Sequence, residues 1–427
     1  MKRFFYCLLL LSTALLVKAQ REPDKIYMQN IHTVKLFQVG NQSGYAIISL
    51  GAESNLELDF DDFDGTVKNY NYTYQLCNAD WKPADLNTFD FVQGFSQGRL
   101  SQYRNSSVSK VRYIHYQALL PERSCMPKLS GNYLLKVYLN GDTSKLAFTK
   151  RLLVVENLVP IAANIQQPFN SQLFQTHQKV QFTIDKSKID IMNQQQQLKV
   201  VVLQNYRWDI AVTGIQPMFM RGNLYEYNGE RDCLFPAGRD FRWADLRSFR
   251  FLSERVDSVN KNTTPVDLYL IPDGERTQMR YLYRRSLNGF YEVASTDVSN
   301  PWWQGDYARV HFTYKPLNNQ PYPNKDVYVI GELTQYQAND STKMTYNANT
   351  GFYEKTLLLK EGYYNYTYAT KDIKNKNALL SIAETDGNYW QSENTYLILV
   401  YYHSFSDRAD RLVGIKALSS LFNSNMR

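Results

Sequence analysis

The residues that look most like a chemical site lie at positions 58–65, which read LDFDDFDG. Four aspartates beside a glycine suggest a calcium-binding loop, whose ligands fall at fixed positions 1, 3, 5, 7, 9 and 12. Counted from Asp59, position 5 is Phe63 and position 12 is Tyr70, and neither residue can bind calcium. We therefore expect a strand in which Leu58, Phe60 and Phe63 face inward and the aspartates end the strand in a turn.

The sequence contains no complete catalytic motif. The five histidines are scattered without metal-ligand spacing, and His115 lies in an apolar strand pattern, which favours a structural role. Residues 94–98 (GFSQG) have the Gly-x-Ser-x-Gly spacing of a nucleophile elbow, but the helical pattern that must follow such an elbow is missing. There is no phosphate-binding glycine loop. We predict a protein that is not an enzyme, with no catalytic residue, metal site or cofactor.

Three cysteines follow the N-terminal leader: Cys77, Cys125 and Cys233. An odd number cannot pair completely within one chain. In an exported protein, Cys77 and Cys125 are the candidates for a disulfide, because we expect them to share a domain. The alternative is that all three are buried thiols that pack as small hydrophobic side chains.

The adjacent tryptophans Trp302 and Trp303 are the candidate interaction surface. In an extended segment, neighbouring side chains point to opposite sides, so both cannot enter one core. Exposed tryptophan is enriched at interaction hot spots. The alternative is a contact between two domains, since the pair directly follows an apparent linker at Asn300.

The N-terminus has the features of a secretory signal peptide, residues 1–19. Lys2 and Arg3 precede an apolar run at 4–17, and small residues stand before Gln20, where we expect cleavage. The run is too short to span a membrane as a helix. The whole-chain formal charge of +7 includes no polybasic block, so we do not expect nucleic acid as a partner.

The rest of the sequence favours strands. It contains 33 tyrosines and 22 phenylalanines, and aromatic residues suit pleated, half-buried surfaces. Asn140-Gly141 separates two apolar runs, which is a specific hairpin signal. Residues 198–203 (LKVVVL) read as a buried strand, and 396–402 (YLILVYY) as a central strand that is apolar on both faces. Long helical patterns with caps are missing, so helices should be few and short.

We predict an all-β protein of three tandem β-sandwich, immunoglobulin-like domains. The domains are expected at 24–156, 157–300 and 301–404, followed by a C-terminal tail at 405–427. The boundaries rest on linker-like strings, ENLVP after the first hairpin and Ser-Asn-Pro ending at Pro301. Because these linkers are short and not rich in glycine or serine, we expect the domains to stack rigidly.

Several strings, taken in order, resemble the plug protein family of the bacterial type IX secretion system. The resemblance covers about residues 30–414. In the first domain it is carried by LDFDDFDG, YTYQLCNADW ending at Trp81, YIHYQALLP ending at Pro121 and SGNYLLKVY from Ser130; further on by IQQPFN, AGRDFRWADLRSFR, GNYWQSENTYLILVYY and DRLVG.

The resemblance implies a function that composition does not show. Plug proteins of Bacteroidota are exported to the periplasm and associate with the inner face of the outer membrane. They bind the periplasmic end of the large outer-membrane translocon β-barrel of the type IX secretion system and close it when no substrate passes. Closing a pore requires a complementary interface and no catalytic residue.

The last domain also resembles a starch- or glycogen-binding immunoglobulin-like module. The matching strings are VYVIGELTQY at 327–336 and GYYNYTYA at 362–369. Tyr336 stands where the module usually has a tryptophan. The alternative function is therefore an exported glycan-binding protein that uses its C-terminal domain.

Overall fold

Alternating apolar and polar residues make this chain almost entirely β-structure, as predicted. The computed structural model describes residues 23–375 and 377–422, so the predicted signal peptide at 1–19 lies outside the described residues. The α-helices of the described part are short turns: α1 (Thr88–Phe91), α2 (Gln194–Gln197) and α3 (Pro301–Gln304). Short 3-10 turns occur at Leu317–Asn319, Glu332–Thr334 and Ser420–Phe422.

The first sandwich is built from residues 31–155. The strands are β1 (Ile31–Gln38), β2 (Ile47–Ser49), β3 (Leu56–Asp62), β4 (Tyr70–Cys77), β5 (Val92–Gly94), β6 (Gly98–Leu100), β7 (Gln102–Asn105), β8 (Ile114–Leu120), β9 (Cys125–Pro127), β10 (Gly131–Leu139) and β11 (Leu146–Val155). One sheet has the order β1-β3-β8-β7 and the other β2-β11-β10-β4-β6, with β5 and β9 forming a separate ribbon. The predicted hairpin at Asn140-Gly141 joins β10 and β11, and both turn residues have positive φ.

The remaining strands form two further sandwiches. The second begins with β12 (Ile161–Gln166), β13 (His177–Asp185), β14 (Leu198–Gln204), β15 (Arg207–Thr213), β16 (Phe219–Arg221), β17 (Leu224–Tyr227) and β18 (Leu234–Pro236). The third contains β19 (Arg242–Asp245), β20 (Val256–Asn260), β21 (Val266–Leu270), β22 (Asp273–Gly274), β23 (Tyr291–Val293), β24 (Tyr307–Lys315), β25 (Lys325–Ile330), β26 (Thr345–Asn347), β27 (Phe352–Lys360) and β28 (Gly362–Asp372). The chain then returns to the second sandwich with β29 (Thr395–Tyr402) and β30 (Arg411–Ser419).

The hydrogen-bonded sheets do not follow the predicted ranges 157–300, 301–404 and 405–427. Strands β29 and β30 pair with β14 and β15 in one sheet of the second sandwich, in the order β15-β14-β29-β30. Strands β19 to β23, which lie before residue 300, pair with strands of the third sandwich. Strands β19 to β28 lie in the chain between β18 and β29, which both belong to the second sandwich. The third sandwich is thus an insertion in the second.

The first and second sandwiches join through the outer faces of two sheets. Along β29, Tyr396, Ile398 and Val400 enter the core of the second sandwich. The alternate residues, Leu397 and Leu399, enter a second apolar cluster, which also contains Leu134 and Leu153 of the first sandwich. Strand β29 is therefore buried on both faces, as its sequence predicted, and one of those faces forms the junction.

Candidate functional site

Residues 58–62 of the calcium-like stretch belong to β3, and Phe63 and Asp64 form the turn that follows it. Leu58 and Phe60 face the core of the first sandwich, as predicted. Asp59 and Asp61 point to the other side of the sheet, because strand side chains alternate, and both are fully buried there. The expectation that the aspartates end the strand in a turn is confirmed for Asp62, the last residue of β3, whose Oδ1 accepts the Asp64 backbone N–H at 2.9 Å. It is wrong for Asp59 and Asp61, which lie within the strand on a face that the third sandwich covers.

The partners form a buried ionic cluster between the first and third sandwiches. The His115 ring contacts both carboxylates, with Nδ1 2.8 Å from Asp61 Oδ1 and Nε2 3.1 Å from Asp59 Oδ1. From the third sandwich, Lys360 Nζ donates to Asp61 Oδ2 at 2.5 Å. The Tyr307 hydroxyl donates to the same oxygen at 2.5 Å. Each charged group thus has a partner, which buried charges require.

Burial and ion pairing shift the pKa values of the groups in this cluster in opposite directions. Burial raises the pKa of Asp59 to about 6. Burial also opposes ionisation of Asp61, but the charge of Lys360 and the contacts with His115 hold its pKa below the usual value. For His115, burial disfavours the cation, yet hydrogen bonds to the two aspartates outweigh it and raise its pKa. Burial lowers the pKa of Lys360 despite its carboxylate partner.

A second set of polar contacts extends the same junction. Lys35 Nζ lies 2.7 Å from Glu332 Oε2 and donates to a backbone carbonyl of β23 at 2.5 Å. The Gln42 amide makes two hydrogen bonds to the backbone of Val293, of 3.0 and 2.8 Å. These contacts bind groups of the first sandwich to the backbone and to a carboxylate of the third, so they fix the two sandwiches against each other.

Trp302 and Trp303 lie at this junction too. They belong to the helical turn α3 and not to an extended segment. Trp302 stacks on Phe37 with ring centroids 6.0 Å apart and also packs against His115. The Arg104 guanidinium lies 5.0 Å from the Trp303 ring. Both side chains are partly buried against the first sandwich, which corresponds to the domain-contact alternative.

The cysteines occupy separate environments. Cys77, Cys125 and Cys233 are free, buried thiols. Cys125 belongs to the core of the first sandwich, whereas Cys77 faces the apolar cluster shared with the second sandwich. The structure therefore contains no Cys77–Cys125 disulfide, because the two side chains lie on opposite sides of the sheet that contains β4. Burial raises the pKa of each thiol to about 12.

Tyr336 lines a cleft of about 450 Å³ where all three sandwiches meet. The aromatic walls include Tyr45, Tyr206, Trp208 and Phe290. The Arg207 guanidinium lies 5.7 Å from the Tyr336 ring centroid, so this ring is part of a cleft wall and not an open platform. The volume lies within the range of small-ligand pockets.

Sequence reasoning missed Lys360 and Tyr307 as partners of the aspartates. They lie 299 and 246 residues from Asp61 along the chain, so no local pattern connects them. One signal was available in the alternation of Leu58, Asp59, Phe60 and Asp61. It predicts that the two aspartates share one face of the strand and the two apolar side chains share the other.

The described residues include no helix long and apolar enough to cross a membrane. The fold defines a class of all-β proteins in which β-sandwiches pack against one another through buried junctions. Residues 31–156 match the family model described as the type 9 secretion system plug protein 1st domain.

A solved structure extends the likeness over nearly the whole chain. It is described as a hypothetical protein from Parabacteroides merdae, is 31% identical and has a TM-score of 0.88. The alignment covers 93% of this chain and 99% of that one. Comparison with curated proteins finds no match. The chain belongs to the plug protein family of the type IX secretion system, a structural component of secretion, and membership implies a periplasmic or outer-membrane location.

Proposed function

We propose that this protein binds the periplasmic end of the outer-membrane translocon β-barrel of the type IX secretion system and closes it. The observation that carries the proposal is the family match of the first sandwich at residues 31–156. A seal for a wide pore must resist deformation. The buried apolar cluster between the first and second sandwiches and the ionic cluster between the first and third support such a body.

The test is co-purification from the native outer membrane. Tagged full-length protein, expressed in its host and extracted with mild detergent, is expected to retain the translocon barrel. A tagged periplasmic protein of similar size serves as the control bait. Deleting the gene should also admit a large antibiotic that the outer membrane normally excludes. Absence of any outer-membrane barrel from the purified material, with unchanged permeability, would rule the proposal out.

A second candidate, glycan binding, is favoured by the cleft that contains Tyr336. Sugar rings stack on aromatic faces such as those of Tyr45 and Trp208, which line the same cleft. Binding to soluble glucans that Tyr336→Ala abolishes and Tyr103→Ala leaves intact would support it, since Tyr103 is exposed on the first sandwich. Equal binding by both variants would contradict it.

A further inference from the structure

The third sandwich presents an exposed surface rich in arginine and large apolar side chains. It comprises the segment 279–285 and the loop before β20, and we call it the arginine surface. Its apolar members include Phe251, Leu282, Met279 and Tyr283, whose side chains are 76%, 75%, 51% and 49% exposed. Exposed apolar groups collected in one region mark interaction sites in soluble proteins.

The basic residues around this surface have an unusual composition. Residues 221–309 contain twelve arginines and a single lysine, Lys261. Lysine serves solubility as well as arginine does, so charge alone does not explain this bias. Protein interfaces are enriched in arginine, tyrosine and methionine and depleted in lysine, because the planar guanidinium binds carboxylates with two parallel hydrogen bonds and stacks on aromatic rings.

Hydrogen bonds to the buried residues Arg239 and Asp240 hold the exposed segment in position. Arg239 is nearly buried, and its guanidinium donates to the backbone carbonyls of Arg276, Met279 and Arg280. On the other side, the Asp240 carboxylate accepts hydrogen bonds from the Arg284 backbone N–H at 3.1 Å and from a tyrosine hydroxyl of the segment. A segment fixed in this way loses little conformational entropy when a partner binds, which favours affinity.

Arg284 connects the segment to the neighbouring loop. Its guanidinium lies 3.6 Å from the Trp243 ring centroid and 3.8 Å from a Glu254 carboxylate oxygen. Glu254 belongs to the same loop as the exposed Phe251 and Leu252, so this contact joins that loop to the segment. Glu254 is thus already paired.

Arg280 and Arg285 are exposed, and within the described residues their side chains make no ion pair or hydrogen bond with protein. Beside them, Leu282 and Tyr283 line a groove of about 650 Å³. The two cations are therefore available to a partner and flank an apolar centre.

We infer that the arginine surface is the face that docks onto an acidic, partly apolar surface of the translocon complex. The inference rests on the proposed function and names the face that performs it. Arginine cations beside an apolar groove complement carboxylates next to aliphatic side chains. Such charge complementarity also accelerates association and makes it sensitive to salt.

The experiment measures binding of the full-length protein to the purified, detergent-solubilised translocon complex. The test variant is Arg280→Glu/Arg285→Glu, which leaves the fold intact because neither side chain has a protein partner. The matched control is Arg123→Glu/Arg221→Glu, at two exposed arginines of the first and second sandwiches. Thermal unfolding of each variant verifies folding.

We expect the test variant to bind at least about tenfold more weakly, while the control binds like the wild type. Arg280→Lys/Arg285→Lys should show a smaller loss, because charge remains but two-pronged carboxylate binding does not. If the wild type binds and the test variant binds equally well, the inference is overturned while the proposed function stands. If the wild type does not bind, both are overturned. Binding to phosphatidylglycerol vesicles that the test variant loses, with translocon binding unchanged, would assign the surface to lipid instead.

Discussion

At the scale of single residues, Lys360 is the cation on which the buried cluster depends. Lys360→Met keeps much of the side-chain volume but leaves Asp61 without its closest cation in a site that water does not reach. Breaking a buried ion pair in this way costs about 3–5 kcal/mol. Chemical denaturation should show that loss in the free energy of unfolding. Lys374→Met, at an exposed loop position, should change it by less than about 0.5 kcal/mol, and equal losses in the two variants would contradict the assignment.

Glu361, next in the chain, should make stability depend on pH. Burial raises its pKa from 4.5 to about 7, and the neighbouring carboxylates of Asp297 and Asp306 add to the shift. The folded protein therefore binds this proton more tightly than the unfolded chain does. The resulting stabilisation is complete below the unfolded pKa and is lost as the pH rises through the folded pKa.

Glu361→Gln removes this titration and keeps the shape of the side chain. The free energy of unfolding of this variant, relative to wild type, should therefore increase as the pH rises from about 4.5 to about 7 and then level off. Urea denaturation across that range measures it. A difference between Glu361→Gln and wild type that stays constant across that range would show the prediction wrong.

At the scale of elements, β29 links two cores through its two faces. Leu399 lies on the face shared with the first sandwich and is fully buried. Leu399→Ala should cost about 2–5 kcal/mol, since it removes apolar contacts and leaves a cavity. Leu379→Ala, at an exposed loop position, is the matched control and should cost less than about 0.5 kcal/mol. Thermal or urea unfolding of the two variants compares them, and similar midpoints would contradict a shared core at this strand.

The individual strands were predictable because their signals are local. The Asn140-Gly141 hairpin follows from turn chemistry, and the strands at 198–203 and 396–402 follow from short continuous apolar runs. Their assembly was not predictable in the same way. Strand β14 pairs with β29 from Leu198 opposite Tyr402 to Gln204 opposite Tyr396. The sequence of neither strand indicates which strand it pairs with. The same holds for Asp61 and Lys360, whose pairing depends on how two sandwiches stack.

At the scale of the whole molecule, the last strand holds several parts of the fold together. Strand β30 pairs with β29 along its length, from Arg411 opposite Tyr402 to Ser419 opposite Thr395. Its Val413 carbonyl accepts hydrogen bonds from the backbone N–H groups of Leu158 and Val159, in the connection between the first and second sandwiches. Just before it, Asp410 accepts the Ala79 backbone N–H of the first sandwich at 2.9 Å.

Deleting residues 405–427 should therefore unfold the second sandwich, although the sequence predicted this stretch to be a tail. The deletion removes Leu412 and Val413, both fully buried, and exposes an entire edge of β29. We expect a truncated protein that is cut rapidly by protease within 157–236 and has lost its cooperative thermal transition. If the deletion keeps the full-length melting temperature and protease resistance, β30 does not stabilise the molecule as its pairing indicates.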